Sequence, residues 1–310
     1  MGGSRWDSDD WTTYRKAHID HKTDRDIFSS ASLKADMDPR NIMMRESCDS
    51  DANPNATPVI LAFDVTGSMG HIAVQMAKEG IKTTIEQILD RKPVSDPHIM
   101  VMGVGDGEAG DRAPLQVSQF EADTKIVEQL SQIYIEGGGG GNDHESYNLP
   151  WYFAATKTKI DCVDKHGRKG LLFTMGDEEP AQTLHRHVAK EYLGEDLQYD
   201  IGADELLALV QQKYDVFHIV VEEGSYARRH GPDRVAAAWN DVLGQGRVIR
   251  LSDHTKLPEV IVSAIQVHAG ENADDVAKSW DGNTGIAVAH AVKGMTTRRK
   301  GNDGMVRRFA

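Results

Sequence analysis

From Pro58 onward the chain alternates short apolar runs with longer segments whose apolar positions recur every three to five residues. The short runs predict strands over 58–64 (PVILAFD), 97–104 (PHIMVMGV), 114–119 (PLQVSQ), 170–175 (GLLFTM), 215–222 (DVFHIVVE) and 247–251 (RVIRL). Between the first two, Met69, Ile72, Met76, Ile81, Ile85 and Ile88 form a stripe suited to a helix lying on a sheet, with Gly80 permitting close packing. Further helices are expected over 122–135, 145–160, 182–193, 203–214, 234–243 and 259–268. Strands separated by helices predict an α/β fold, a doubly wound, mostly parallel six-stranded sheet flanked by helices, Rossmann-like in plan. In the order 3-2-1-4-5-6 the first and fourth strands lie side by side at the switch point. Pro114, opening the third run, suits an edge strand because proline cannot donate to a ladder.

Three stretches follow from this pattern. Residues 1–57, poor in long apolar runs, read as an extended N-terminal arm with one short helix near Trp11 to Ala17. Residues 58–270 form the α/β domain, and 271–310 a C-terminal extension. That extension ends in a basic, flexible tail in which Lys293, Arg298, Arg299, Lys300, Arg307 and Arg308 face Asp303 alone. Lys and Arg number 35 against 48 Asp and Glu, and the resulting net charge of -13 disfavours nucleic acid and acidic membranes as partners. A mean hydropathy of -0.48 and the lack of any long apolar run predict a soluble chain. Cys48 and Cys162 show no C-x-x-C spacing, and the first ten residues contain no apolar leader, so a cytoplasmic protein in a reducing compartment is expected.

The first predicted strand ends in Asp64-Val65-Thr66-Gly67-Ser68, which sets one carboxylate and two hydroxyls on alternate residues in the turn opening a helix. Hard oxygen donors of this kind suit Mg²⁺, which prefers oxygen and retains several waters. The plainer alternative is that Asp64 and Ser68 cap the helix that follows. At these residues the chain resembles the von Willebrand factor type A (VWA) family, of the stand-alone bacterial and phage kind. The family's metal ion-dependent adhesion site, or MIDAS, begins D-x-S-x-S; here Thr66 keeps the middle hydroxyl. The resemblance spans about 58–270 and implies a Rossmann-like VWA fold, a resident Mg²⁺ (or Mn²⁺ or Ca²⁺), and two further ligand loops. One is Gly137–Gly141 followed by Asn142-Asp143-His144-Glu145, where Asp143 falls at the family's threonine position and Asn142 is the alternative ligand. The other is Thr174-Met175-Gly176-Asp177, where Asp177 supplies a carboxylate. The implied metal ligands are therefore Asp64, Thr66, Ser68, Asp143 and Asp177.

Function follows from the same resemblance: an intracellular metal-binding module for protein–protein interaction, serving an AAA-type ATPase or a larger assembly as adaptor. Three carboxylates around one divalent ion would oppose an incoming fourth, which points either to a cation that mainly holds the loops or to a neutral or basic partner group. No nucleophile paired with a base is visible, so an enzyme is not expected. The alternatives are a metal-dependent phosphohydrolase with Asp64 as nucleophile, which Thr66 disfavours by standing where a second carboxylate is needed, and a phage structural subunit. Gly105-Asp106-Gly107-Glu108-Ala109-Gly110 matches a dinucleotide fingerprint, yet two acids sit where phosphate would lie and no helix follows. His71 and His144 flank the site, and His185 and His187 read as surface residues.

Overall fold

Every residue of Thr57–Asp64 (β1) is buried, as an unbroken apolar run requires when helices cover both faces of its sheet. Pro97–Val104 (β2) and Gly170–Gly176 (β4) are likewise buried throughout. Leu115–Val117 (β3), Tyr214–Val221 (β5) and Val248–Leu251 (β6) complete one six-stranded sheet in the order β6-β5-β4-β1-β2-β3. All neighbours are parallel except β3, which pairs antiparallel with β2 at the edge. This is the doubly wound order expected from the alternation of runs. The computed structural model describes residues 30–69, 71–138 and 141–295, with positions 9, 13 and 16 in isolation. The helix expected near Trp11 to Ala17 and the tail beyond residue 295 lie outside this continuous description.

Side chains alternate across β1. Val59, Leu61 and Phe63 enter one core, and Ile60 and Ala62 the other. The first core is roofed by a continuous helix, α1, made of His71–Gln75, a π-helical segment Met76–Ile81 and Lys82–Arg91. Lys125–Leu130 (α2) and, further on, Leu257–His268 (α7), Ala273–Lys278 (α8) and Gly282–Ala291 (α9) lie on the same side. A Cβ at Gly80 would meet Leu257 Cδ2 at 3.0 Å, so this glycine lets α1 and α7 approach as expected. The second core is covered by Asn148–Thr156 (α3), Ala203–Val210 (α4), Ser225–His230 (α5) and Pro232–Leu243 (α6). Among the described residues no helix is long and apolar enough to cross a membrane.

Several helices are shorter than the pattern predicts because distant segments claim their ends. The 145–160 segment is helical only to Thr156; Thr158–Ile160 pairs in parallel with Arg45–Ser47. In 182–193, Thr183–Leu184 pairs with Ile201–Gly202, and the helix starts at Arg186 and stops at Gly194, whose φ is +72°. The 122–135 segment keeps only α2. Within the stretch read as an extended arm, Met37, Ile42 and Ala56 are buried, and Val117 N–H donates to the Met37 carbonyl at 2.9 Å. Beyond residue 270, Val276, Val288, Ala291 and Val292 join the first core, and Trp280 Nε1 donates to Ser263 Oγ at 2.8 Å. The α8 start is fixed by Asn272, whose side chain accepts from Asp274 and Asp275 N–H.

Candidate metal centre

The register of β1 against β4 ends with Phe63 opposite Met175, so Asp64 and Gly176, the last residues of their strands, come together at the sheet's carboxyl edge. Asp64 is fully buried, and its Oδ1 accepts from Thr66 N–H at 2.7 Å and from Thr66 Oγ1 at 2.6 Å. Thr66 Oγ1 and Ser68 Oγ stand 3.2 Å apart, and Ser68 Oγ donates to Asp177 Oδ1 at 2.7 Å. Asp64, Thr66, Ser68 and Asp177 thus form one chain of oxygens drawn from two loops. Backbone contacts hold it from outside. Gly67 N–H donates to Gly138 O at 2.6 Å, Gly137 N–H to Val65 O at 3.1 Å, and Ser225 N–H to Ser68 O at 3.1 Å. Gly137, at φ +65°, adopts the left-handed turn that brings the glycine run against this loop.

Asp143 does not join the cluster. It is exposed and lies 3.9 Å from Arg234, at the rim of a cleft of about 270 Å³ beside Ser68. Glu145, two residues on, is buried instead, because His144–Glu145 pairs in parallel with Glu179–Pro180 and draws the glycine loop's exit inward. Glu178 is also buried and lines the same cleft. Asp106, from the loop that mimics a dinucleotide fingerprint, is wholly buried. One carboxylate oxygen on each of Glu145, Glu178 and Asp106 is buried with no hydrogen-bond partner. The sequence pattern does not mark Glu145, Glu178 or Asp106 as ligands, although each stands beside the glycines or loops that it does single out.

Crowded carboxylates without counter-charge hold their protons. Burial, then the Asp177 charge, pushes Asp64 up to about 7, against the hydrogen bonds from Thr66 and Tyr147. Tyr147 Oη donates to Asp64 Oδ2 at 3.2 Å. Burial and the charges of Asp64, Glu178 and Asp106 push Glu145 up to about 11, and burial with Asp64 and Asp177 pushes Glu178 up to about 8. Burial also raises Asp177, opposed by Ser68 Oγ and the Tyr226 and Ala227 amides. Orphaned carboxylate oxygens beside two hydroxyls match the donor set of a hard divalent cation. The carboxylates are not packed as a tight trio by themselves; the Thr66 and Ser68 hydroxyls lie between them.

A tighter acidic and histidine group, Glu223, Asp253 and His254, sits beyond β5 with ligand atoms within 4.8 Å of one another. Both ring nitrogens of His254 already face oxygens, Nδ1 with Glu223 Oε2 at 2.6 Å and Nε2 with Gln75 Oε1 at 2.8 Å. This group therefore works as a latch between the β5 loop and α1. Of the histidines near the acidic loops, His144 lies 3.5 Å from Glu108 and His185 3.0 Å from Asp200.

Gly224 carries the β5 loop beneath Asp177. A Cβ there would overlap the Asp177 carboxylate, which is also held by Tyr226 N–H at 2.8 Å. Gly224→Ala should therefore displace Asp177, costing roughly 1–3 kcal/mol as overpacking does. A fall in melting temperature together with weaker cation binding by calorimetry is the expected result. Unchanged cation affinity would show that Asp177 takes no part.

No family model matches the chain, and no curated protein matches it. Among solved structures it is similar to the pilus adhesin SpaC from Lactobacillus rhamnosus GG in its open conformation, at 10% identity and a TM-score of 0.45, over 74% of this chain and 31% of that one. It is also similar to proximal thread matrix protein 1 (PTMP1) from the mussel byssus, at 11% identity and a TM-score of 0.41, over 71% and 49% of the two chains. The chain thus spans less than half the length of each of these structures.

Proposed function

We propose that the chain is a VWA-type protein that holds a divalent cation, Mg²⁺ or else Mn²⁺ or Ca²⁺, at the carboxyl edge of its sheet and offers it to a protein partner. The observation that carries this reading is the continuous run Asp64–Thr66–Ser68–Asp177, with unpartnered oxygens of Glu145 and Glu178 turned into the same buried pocket. Asp64, Thr66, Ser68 and Asp177 would hold the ion, with Glu145 in the role the resemblance gave to Asp143. When bound, the ion supplies a positive centre that an oxygen of the partner completes.

The chain's own residues do the rest. Ser68, Glu145 and Glu178 face the cleft, and Tyr147 and the Tyr226 amide fix the carboxylates behind them. Arg229 and His230 line the same cleft, but Asp143, Glu145 and Glu178 line it too, which supports the neutral or basic partner group expected from charge counting. An AAA-type ATPase or an assembly subunit is the partner class the family resemblance suggests. A cytoplasmic setting accords with the two free cysteines, Cys48 and Cys162. The hydrolase alternative has less support, because Asp64 is fully buried behind the residues that line the cleft.

Affinity purification in Mg²⁺ and in chelator, paired with calorimetry, tests the reading. The partner should be retained in Mg²⁺ and lost in chelator. Ser68→Ala should weaken the cation by about tenfold or more, roughly one charge-assisted hydrogen bond, whereas Asp143→Ala should leave it nearly unchanged. No cation binding at millimolar concentration would sink the proposal.

A further inference from the structure

The amino end of the sheet, opposite the acidic centre, holds a second cleft of about 270 Å³. Its walls come from the turn after α1, the starts of β1, β4 and β5, and the last turn of α7. Lys92, Arg168 and Lys169 line it, together with His268 and Asp215. In a chain of net charge -13 this is a local concentration of positive charge. Asp215 is already engaged, with Arg247 at 3.3 Å and His268 Nε2 at 2.9 Å. Lys92, Arg168 and Lys169 have no carboxylate within ion-pair distance among the described residues.

Two atoms point to a ligand. His268 is 6% exposed, and with Nε2 bonded to Asp215 its Nδ1 is buried without a partner. Arg168 Nη2 is likewise buried without a partner. Orphaned polar atoms of this kind cost stability unless something pairs with them. Helix ends explain part of the charge, since Lys92 follows the C-terminus of α1 and His268 closes α7, where cations are favoured. They do not explain the orphaned imidazole nitrogen or guanidinium nitrogen.

We infer that this cleft is a binding site for a small phosphate monoester. Its phosphoryl oxygens accept from Arg168, Lys92 and Lys169, as guanidinium and ammonium groups do for phosphate. The same group can either donate its P–OH to a neutral Nδ1 or accept from a protonated one, so it satisfies His268 in both states. Pro93, Val94, Leu171 and Ile265 supply an apolar wall for the organic part. The volume of about 270 Å³ falls just below the usual range for ligand pockets, roughly 300–1,000 Å³, which confines the ligand to a compact molecule. The site shares no residue with the acidic centre.

The test uses the full chain in chelator, with inorganic phosphate and phenyl phosphate as probes and sulfate as the control anion. Titration should be saturable, with phenyl phosphate binding at about 1 mM or tighter, and should move the ring nitrogen resonance of His268 in ¹⁵N-labelled protein. The double variant Arg168→Gln with Lys169→Gln should weaken binding by about tenfold or more. His268→Gln, whose side-chain amide reaches the Nε2 position and can still donate to Asp215 while Nδ1 is removed, should weaken it too. Asp64→Asn should leave it unaltered, which separates this site from any anion held through a cation at the other end. An equal response to sulfate, the same affinity in both sets of variants, or no saturable binding overturns the inference.

Discussion

The Asp64→Asn chain should lose the stabilisation that Mg²⁺ confers on the wild-type chain, yet in chelator at pH 8 it should melt at a higher temperature than wild type. The two effects have opposite signs because the side chain has two roles. Asparagine keeps the Oδ1 that accepts from Thr66 N–H and Oγ1, and its Nδ2 can meet Tyr147 Oη, which accepts as readily as it donates. What disappears is a buried negative charge, the largest charge contribution raising Glu145 and Glu178. Without a cation that charge is a burden; with one it is a ligand. At a cation concentration of about 100 times the dissociation constant the gain is about 2.7 kcal/mol, or roughly 5–10 °C in a domain of this size. Melting curves in Mg²⁺ and in chelator measure both effects. An Asn variant that gains as much from Mg²⁺ as wild type would show that Asp64 holds no ion.

The metal-free wild-type chain should lose stability as pH rises from about 5 to 8, and the difference between Mg²⁺ and chelator should widen over the same interval. Asp64 and Glu178 titrate near 7 and 8 in the folded chain, and Glu145 near 11, against about 4 when unfolded. Between those limits the folded chain keeps protons that the unfolded chain has released. The stability this gives is complete below about pH 4 and is lost as pH climbs through the folded values. Each such group contributes a slope approaching about 1.4 kcal/mol per pH unit while its two states differ. A cation competes with those protons and therefore binds more tightly as pH rises. Thermal melts across a pH series, with and without chelator, give the sign directly. A metal-free melting temperature that climbs toward pH 8 would contradict the cluster's electrostatics.

Much of this architecture was readable in the residues because the signals are local. Runs such as Val59–Phe63 and Met100–Val104 are apolar at every position or nearly so, which fits strands covered on both faces. Asp64, Thr66 and Ser68 sit within five residues, so their meeting needs only one turn. Asp177 was legible through the strand order, since β1 and β4 are neighbours. Asp143 and Glu145 were not separable, because which one turns inward depends on two residues pairing with Glu179–Pro180. No local pattern encodes that choice. The same holds for Thr158–Ile160 and Thr183–Leu184, which read as helix until distant strands claim them. Asp106 belongs to a glycine-rich loop that reads as a failed nucleotide motif, yet the fold carries that loop close enough for its charge to act on Glu145 and Glu178.

The stitching of residues 36–56 bears on how the chain can be dissected. Arg45 N–H donates to the Lys157 carbonyl at 2.9 Å, Ser47 Oγ lies 3.1 Å from His98 Nδ1, and Asp49 N–H donates to Asp161 Oδ2 at 2.9 Å. A fragment begun at Pro58 would strip Thr158–Ile160 of its one strand neighbour among the described residues and leave a bare backbone edge of the kind that recruits other chains. The smallest piece that can fold as a unit therefore starts upstream of Asp36, well before the first apolar run announces itself.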